Sequence, residues 1–141
     1  SKGLGAPVGS VLAGSAAAIV EARRMRKMLG GAMRQVGILC AAGLYALEHN
    51  VARVGEDHAN ARRFAEGIAG APGVTIELAR VATNIVLFDV DDAPAFVERV
   101  AARGVALSAF GPRTIRAVTH LDVSAKDVEA AAAAVREVAA A

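Results

Sequence analysis

The sequence predicts an α/β chain: a helical spine followed by a small α+β part with an antiparallel sheet. Three observations carry this expectation. Hydrophobic residues make up 55% of the 141 residues and aromatics only 4%, and much of the apolar content is alanine, which favours helices with narrow contact surfaces. Helical periodicity runs through the first half, whereas the second half intersperses β-branched runs with helical stretches. Gly70, Pro72 and Gly73 interrupt the chain between the two, placing a boundary between residues 1–70 and 71–141. The length suits one hydrophobic core.

Residues 1–14 hold four glycines and Pro7 around the short apolar run 8–13, a pattern for a loop leading into one strand. Ser15 is placed to cap a helix over 16–29, where Ile19, Met25, Met28 and Leu29 interleave with charged residues and Gly30-Gly31 closes the run. A second helix over 32–48 is apolar nearly all round, which predicts burial in the protein or in a subunit interface. A third, over 51–68, carries a charged face of Arg53, Glu56, Asp57, Arg62, Arg63 and Glu66.

Beyond Gly73, residues 74–78 alternate and 84–90 form a dense apolar run, both with the β-branched content of strands. Residues 91–102 return to helix, with Phe96, Val97 and Val100 on one face and Gly104 as its stop. Residues 105–110 and 114–120 form a hairpin around Gly111-Pro112, and 124–141 a final helix.

A net charge of +2 and a pI of 9.1 give no support to nucleic-acid binding. The lone Cys40, in an apolar run, is expected as a small buried thiol in a reducing compartment. The longest apolar run, 36–47, contains two glycines and is too short for a bilayer, so the reading is a soluble, cytoplasmic protein without membrane partners. The chain opens on Ser1-Lys2-Gly3 without an initiator methionine, which reads as a piece of something longer.

Several residues could carry chemistry. Lys2 lies in Ser1-Lys2-Gly3-Leu4-Gly5-Ala6-Pro7-Val8-Gly9, where glycines let a planar cofactor approach the backbone and a deprotonated lysine could attack an aldehyde. The plainer reading is a solvated loop lysine. Arg23, Arg24, Arg26, Lys27 and Arg34 converge on Gly30-Gly31 and the start of the second helix, a setting that favours phosphate. They could also be a solvated basic face, Lys27 and Arg34 least so because they flank the glycine turn. Arg113 and Arg116 lie in or beside the hairpin, and Arg116 shares a sheet face with Thr114 and Val118, from which it could clamp a carboxylate or simply face water.

His120 is either a general base or a hydrogen-bonded residue at a strand end. His49 and His58 read as surface residues. Asp89, Asp91 and Asp92 lack a matching histidine pattern, so a helix N-cap is expected and no metal site. No phosphate loop of the Gly-x-x-x-x-Gly-Lys type and no Ser-His-Asp signal occurs.

Taken in order, these segments resemble the low-specificity threonine aldolases, pyridoxal-phosphate lyases of the aspartate aminotransferase fold group. The resemblance is carried by Ser1 to Ser10, then by Arg26-Lys27-Met28-Leu29-Gly30-Gly31-Ala32-Met33-Arg34-Gln35 and Leu44-Tyr45-Ala46-Leu47-Glu48. It continues through Glu56-Asp57-His58-Ala59-Asn60-Ala61, Thr83-Asn84-Ile85-Val86 and Ile115-Arg116-Ala117-Val118-Thr119-His120-Leu121-Asp122-Val123.

The resemblance implies a C-terminal part of a fold-type I pyridoxal-phosphate enzyme, with residues 1–70 ending the large cofactor-binding domain and 71–141 forming the small α+β domain. It implies pyridoxal 5'-phosphate as cofactor, Lys2 as its Schiff-base lysine, Lys27 and Arg34 near its phosphate, reaching a neighbouring subunit's site, and Arg116 on the substrate carboxylate. The implied reaction cleaves threonine and related amino acids to glycine and an aldehyde, in a homodimer or homotetramer. The family's ring-stacking histidine, its aspartate facing the pyridine nitrogen and a second arginine precede this lysine, so an N-terminal portion outside these residues is the expected partner. The alternatives are an aminotransferase or β-eliminating lyase of the same fold group, or an assembly module using the basic helix 16–29.

Overall fold

The computed structural model describes residues 2–141; Ser1, the first residue of the lysine motif, lies outside the described residues. The described residues form five α-helices, α1 (Ala16–Met28), α2 (Gly37–His49), α3 (Val54–Ile68), α4 (Ala93–Ala101) and α5 (Ala125–Ala140). Three strands, β1 (Ile85–Asp89), β2 (Ser108–Ala109) and β3 (Thr114–Val118), form an antiparallel sheet in the order β1-β3-β2.

Strand alternation builds the core. Val86 and Phe88 of β1 lie opposite Ala117 and Ile115 of β3, and all four are buried on the face that the helices cover. Helix α3 presents Asp57, Asn60, Ala61, Phe64, Ala65 and Ile68 to the interior, the spacing of one helical stripe. Phe96 and Val100 of α4 and Val128, Ala132, Val135 and Val138 of α5 complete the core. Phe88 meets Phe64 and Phe96 at centroid separations of 6.2 and 6.5 Å, the second edge to face, a favoured aromatic geometry. Helix α3, on the N-terminal side of the expected boundary at Gly70, thus packs into the same core as the residues after it.

Helix α5 starts with a reciprocal cap. Ser124 Oγ accepts from the Asp127 backbone N–H, and the Asp127 carboxylate accepts from the Ser124 N–H at 2.9 Å and from its hydroxyl at 2.6 Å. These bonds, the hydroxyl's first, hold the Asp127 carboxyl below the usual aspartate range. Because the folded-state value is the lower one, the stabilisation is complete above the unfolded value of about 4 and is lost as pH falls through the folded one. Ser124→Ala is therefore expected to lower the thermal midpoint at neutral pH, with the gap to wild type narrowing below about pH 4 to what the bond from the Asp127 N–H contributes. A gap that does not depend on pH would show that the carboxylate plays no part.

Several expectations need correction. Residues 8–13 form no strand: Pro7 precedes the run, Gly9 adopts a φ of 126°, and no strand pairs with it among the described residues. Residues 74–78 do turn Val74, Ile76 and Leu78 toward the core, but only Thr75 pairs, exchanging both backbone bonds with Asp89. A 3-10 turn over Leu78–Arg80 then takes the chain off the sheet edge. Of residues 105–110 only Ser108 and Ala109 join the sheet.

The second helix begins at Gly37, because Gln35 at φ 54° breaks the helical path. Nor is it buried within the chain: Ala46 alone is, while Ile38 is 85% and Tyr45 60% exposed. Cys40 is exposed as well. Most large exposed hydrophobics lie in residues 8–51, and nothing among the described residues covers them. No helix among the described residues is long and apolar enough to cross a membrane.

Candidate functional site

Lys2 opens a tight turn in which the Gly5 N–H donates to the Lys2 carbonyl at 2.9 Å. The end of α2 and the start of α3 hold this turn. Asn50, which follows the last turn of α2, donates its side-chain N–H to the Leu4 carbonyl at 2.8 Å. Arg53 donates one amino group to the Gly3 carbonyl at 3.1 Å and the other to Asp57 Oδ1, also at 3.1 Å. Two adjacent carbonyls are thus gripped by side chains some fifty positions along the sequence, whereas residues 7–18 are exposed.

Asp57 is fully buried. One oxygen pairs with Arg53; the other has no hydrogen-bond donor among the described residues and lies against the α-carbon of Gly3, where any Cβ would overlap it. Glycine beside Lys2 is therefore required by Asp57. A buried acceptor left without a donor costs about 1–3 kcal/mol, offset here by the charge-assisted pair with Arg53. The Asp57 backbone carbonyl accepts from Thr119 Oγ1 at 2.6 Å, and Asn84 and Thr119 bond each other across the ends of β1 and β3. Lys2, Gly3, Leu4, Val54, Asp57 and Asn84 line an open cavity of about 220 Å³.

The Lys2 side chain forms no ion pair or hydrogen bond among the described residues, and it is exposed at this cavity. A fixed backbone with an uncommitted amine is the arrangement that attachment of an aldehyde cofactor requires, so the residues present fit that role for Lys2.

Arg116 lies in mid-β3, opposite Leu87 on one side and Ser108 on the other. It stands on the sheet face turned away from the helices and is half-buried. It has no carboxylate partner among the described residues. Its neighbour Arg113 differs, being paired with Asp91 at 3.0 Å. Lys27 in the last turn of α1 and Arg34 beside the Gln35 bend are exposed, and neither lines the Lys2 cavity.

His120 accepts at Nδ1 from the Asp122 backbone N–H at 3.3 Å, near the Asp122 carboxylate, a hydrogen-bonded strand-end residue. His49 stacks on Tyr45. Asp92 caps α4 by accepting from the Ala95 N–H at 3.0 Å, as expected, and Asp89 accepts from Thr114 Oγ1. No group of three metal-ligating side chains occurs among the described residues.

Sequence reasoning placed Arg53 and Asp57 on the charged face of their helix, with no role at the lysine turn, and passed over Asn50. A signal was present: Asp57 shares a stripe with Ala61, Phe64, Ala65 and Ile68, a position where a carboxylate must have a partner.

The sequence model of a family described as beta-eliminating lyases matches residues 1–93. The chain is 45% identical over 134 residues to a probable low-specificity L-threonine aldolase 2 of Arabidopsis thaliana, covering 92% of this chain and 38% of that protein. It is 47% identical over 135 residues to the low specificity L-threonine aldolase of Escherichia coli (strain K12), covering 94% and 39%. With a probable low-specificity L-threonine aldolase of Schizosaccharomyces pombe the identity is 35% over 129 residues, 92% of this chain and 32% of that protein. The chain belongs to the beta-eliminating lyase family, and its resemblance to low-specificity threonine aldolases extends over nearly its whole length. It spans less than half the length of these relatives.

Proposed function

We propose that these residues form the C-terminal part of a pyridoxal-phosphate-dependent lyase of fold type I that cleaves threonine and related β-hydroxy-α-amino acids to glycine and an aldehyde. The observation that carries this reading is the Lys2 turn, whose backbone is fixed by Asn50 and Arg53 while its amine is left uncommitted. Pyridoxal phosphate, when bound, supplies an electron sink for the charge left on the α-carbon as the side-chain bond breaks.

In this proposal the protein's own groups do the rest. Lys2 would hold the cofactor through its amine. Arg116, whose guanidinium has no carboxylate partner among the described residues, receives the substrate carboxylate in a bidentate pair and so orients the amino acid. Lys27 and Arg34 project from exposed positions and serve the phosphate, in a neighbouring subunit's site. The apolar faces of α1 and α2 support an assembly of two or four copies, completed by polypeptide corresponding to the rest of the relatives.

The family's description favours one second reading, β-elimination. Incubating the complete protein with threonine distinguishes the two. Glycine and acetaldehyde in equal amounts are the expected products; 2-oxobutyrate and ammonia would establish elimination instead.

A further inference from the structure

We infer that the Arg53–Asp57 pair is a latch that positions Lys2, a role for the first turn of α3 that deepens the proposed function and rests on Lys2 being the cofactor lysine. Asp57 occupies a core-facing position, and its backbone carbonyl is tied to Thr119 at the end of β3. Its side chain faces the Lys2 turn from beneath: Oδ1 orients Arg53, and Oδ2 abuts the α-carbon of Gly3. Arg53 then passes its second amino group to the Gly3 carbonyl. Asn50 fixes the next carbonyl, that of Leu4.

The direction of the lysine side chain is set by the peptide planes on either side of it. The plane after Lys2 carries the carbonyl that accepts from the Gly5 N–H, so holding the Gly3 and Leu4 carbonyls within that closed turn aims Lys2, and neither Arg53 nor Asp57 needs to reach the reacting atoms. Both are positioning residues. The pair is not general helix reinforcement: an exposed i, i+4 pair such as Arg62–Glu66 contributes little, whereas this one is buried on the acid side and is spent on the turn.

The test uses Asp57→Asn, which keeps the shape and removes the charge, in the complete protein. Amide hydrogen exchange on the cofactor-free protein is expected to accelerate about tenfold or more over residues 3–5, the factor that loss of one charge-assisted hydrogen bond carries. Exchange across β1 should be unchanged. Borohydride trapping of pyridoxal phosphate on Lys2 should slow by a similar factor at saturating cofactor.

Unchanged exchange over residues 3–5 would overturn the latch. Faster exchange with undiminished trapping would overturn its role in aiming Lys2. Should Asp57→Asn fail to fold, Asn50→Ala, which leaves no buried charge unpaired, is expected to produce the same two changes at about three- to tenfold. The underlying reading fails separately: trapping of the cofactor on a residue other than Lys2 in the wild type sinks the lysine assignment, whatever the exchange result.

Discussion

Lys2→Ala is expected to remove the absorption band of the attached cofactor and to lower threonine cleavage by about a hundredfold or more, the loss that a misplaced reacting group carries. The band that distinguishes attached cofactor from the free aldehyde requires an imine to a lysine amine, and Lys2 is the lysine whose turn the structure holds in place. Because the side chain is exposed and uncommitted, its truncation removes no packing, and the thermal midpoint of the cofactor-free variant should match that of wild type. Absorption spectra recorded after loading with pyridoxal phosphate and removal of the free cofactor, with calorimetry on cofactor-free samples, check both halves. Retention of the yellow band by Lys2→Ala would exclude Lys2 as the attachment point.

Arg116→Lys is expected to raise the KM for threonine about ten- to hundredfold while changing the affinity for pyridoxal phosphate less than about twofold. Lysine keeps the charge but cannot reproduce the two parallel donors that a carboxylate accepts from guanidinium, a difference of about 1.5–3 kcal/mol. The asymmetry is informative because Arg116 lies on the open sheet face opposite Leu87 and Ser108, where the substitution disturbs no core contact. Arg113, already paired with Asp91, serves as the control: Arg113→Lys should leave both constants near wild type. Equal losses of substrate and cofactor affinity in Arg116→Lys would count against a carboxylate role.

Those parts of the fold that depend on periodicity were legible in the sequence. The helical runs of α3, α4 and α5, the apolar run of β1, the alternation around Arg116 in β3 and the caps at Ser15 and Asp92 are local patterns, and each has its expected structural counterpart. What failed depended on partners elsewhere. Residues 8–13 have strand composition but no strand to pair with. Residues 74–78 face the core as their alternation implies, yet a sheet edge that accepts only Thr75 leaves them unpaired. The apolar α2 could be assigned to burial or to an interface, and its exposure here excludes burial within the chain.

The site divides the same way. Lys2 and Arg116 could be singled out only through the ordered motifs around them, since a lysine among glycines and an arginine in a strand are individually commonplace. Asp57 was visible in principle as a carboxylate in an apolar stripe. Arg53 and Asn50 were not, because their roles depend on carbonyls 50 and 46 positions away.

Helix α3 has a mechanical consequence. Its C-terminal turns are embedded between the sheet and α5, while its first turn grips the Lys2 loop and meets the end of β3 through Thr119. The lysine and the arginine strand are thereby fastened to a single strut. Any hinge motion that swings the sheet must carry the lysine loop with it, so adjustment of the gap between amine and guanidinium is left to side-chain torsions on the nanosecond scale.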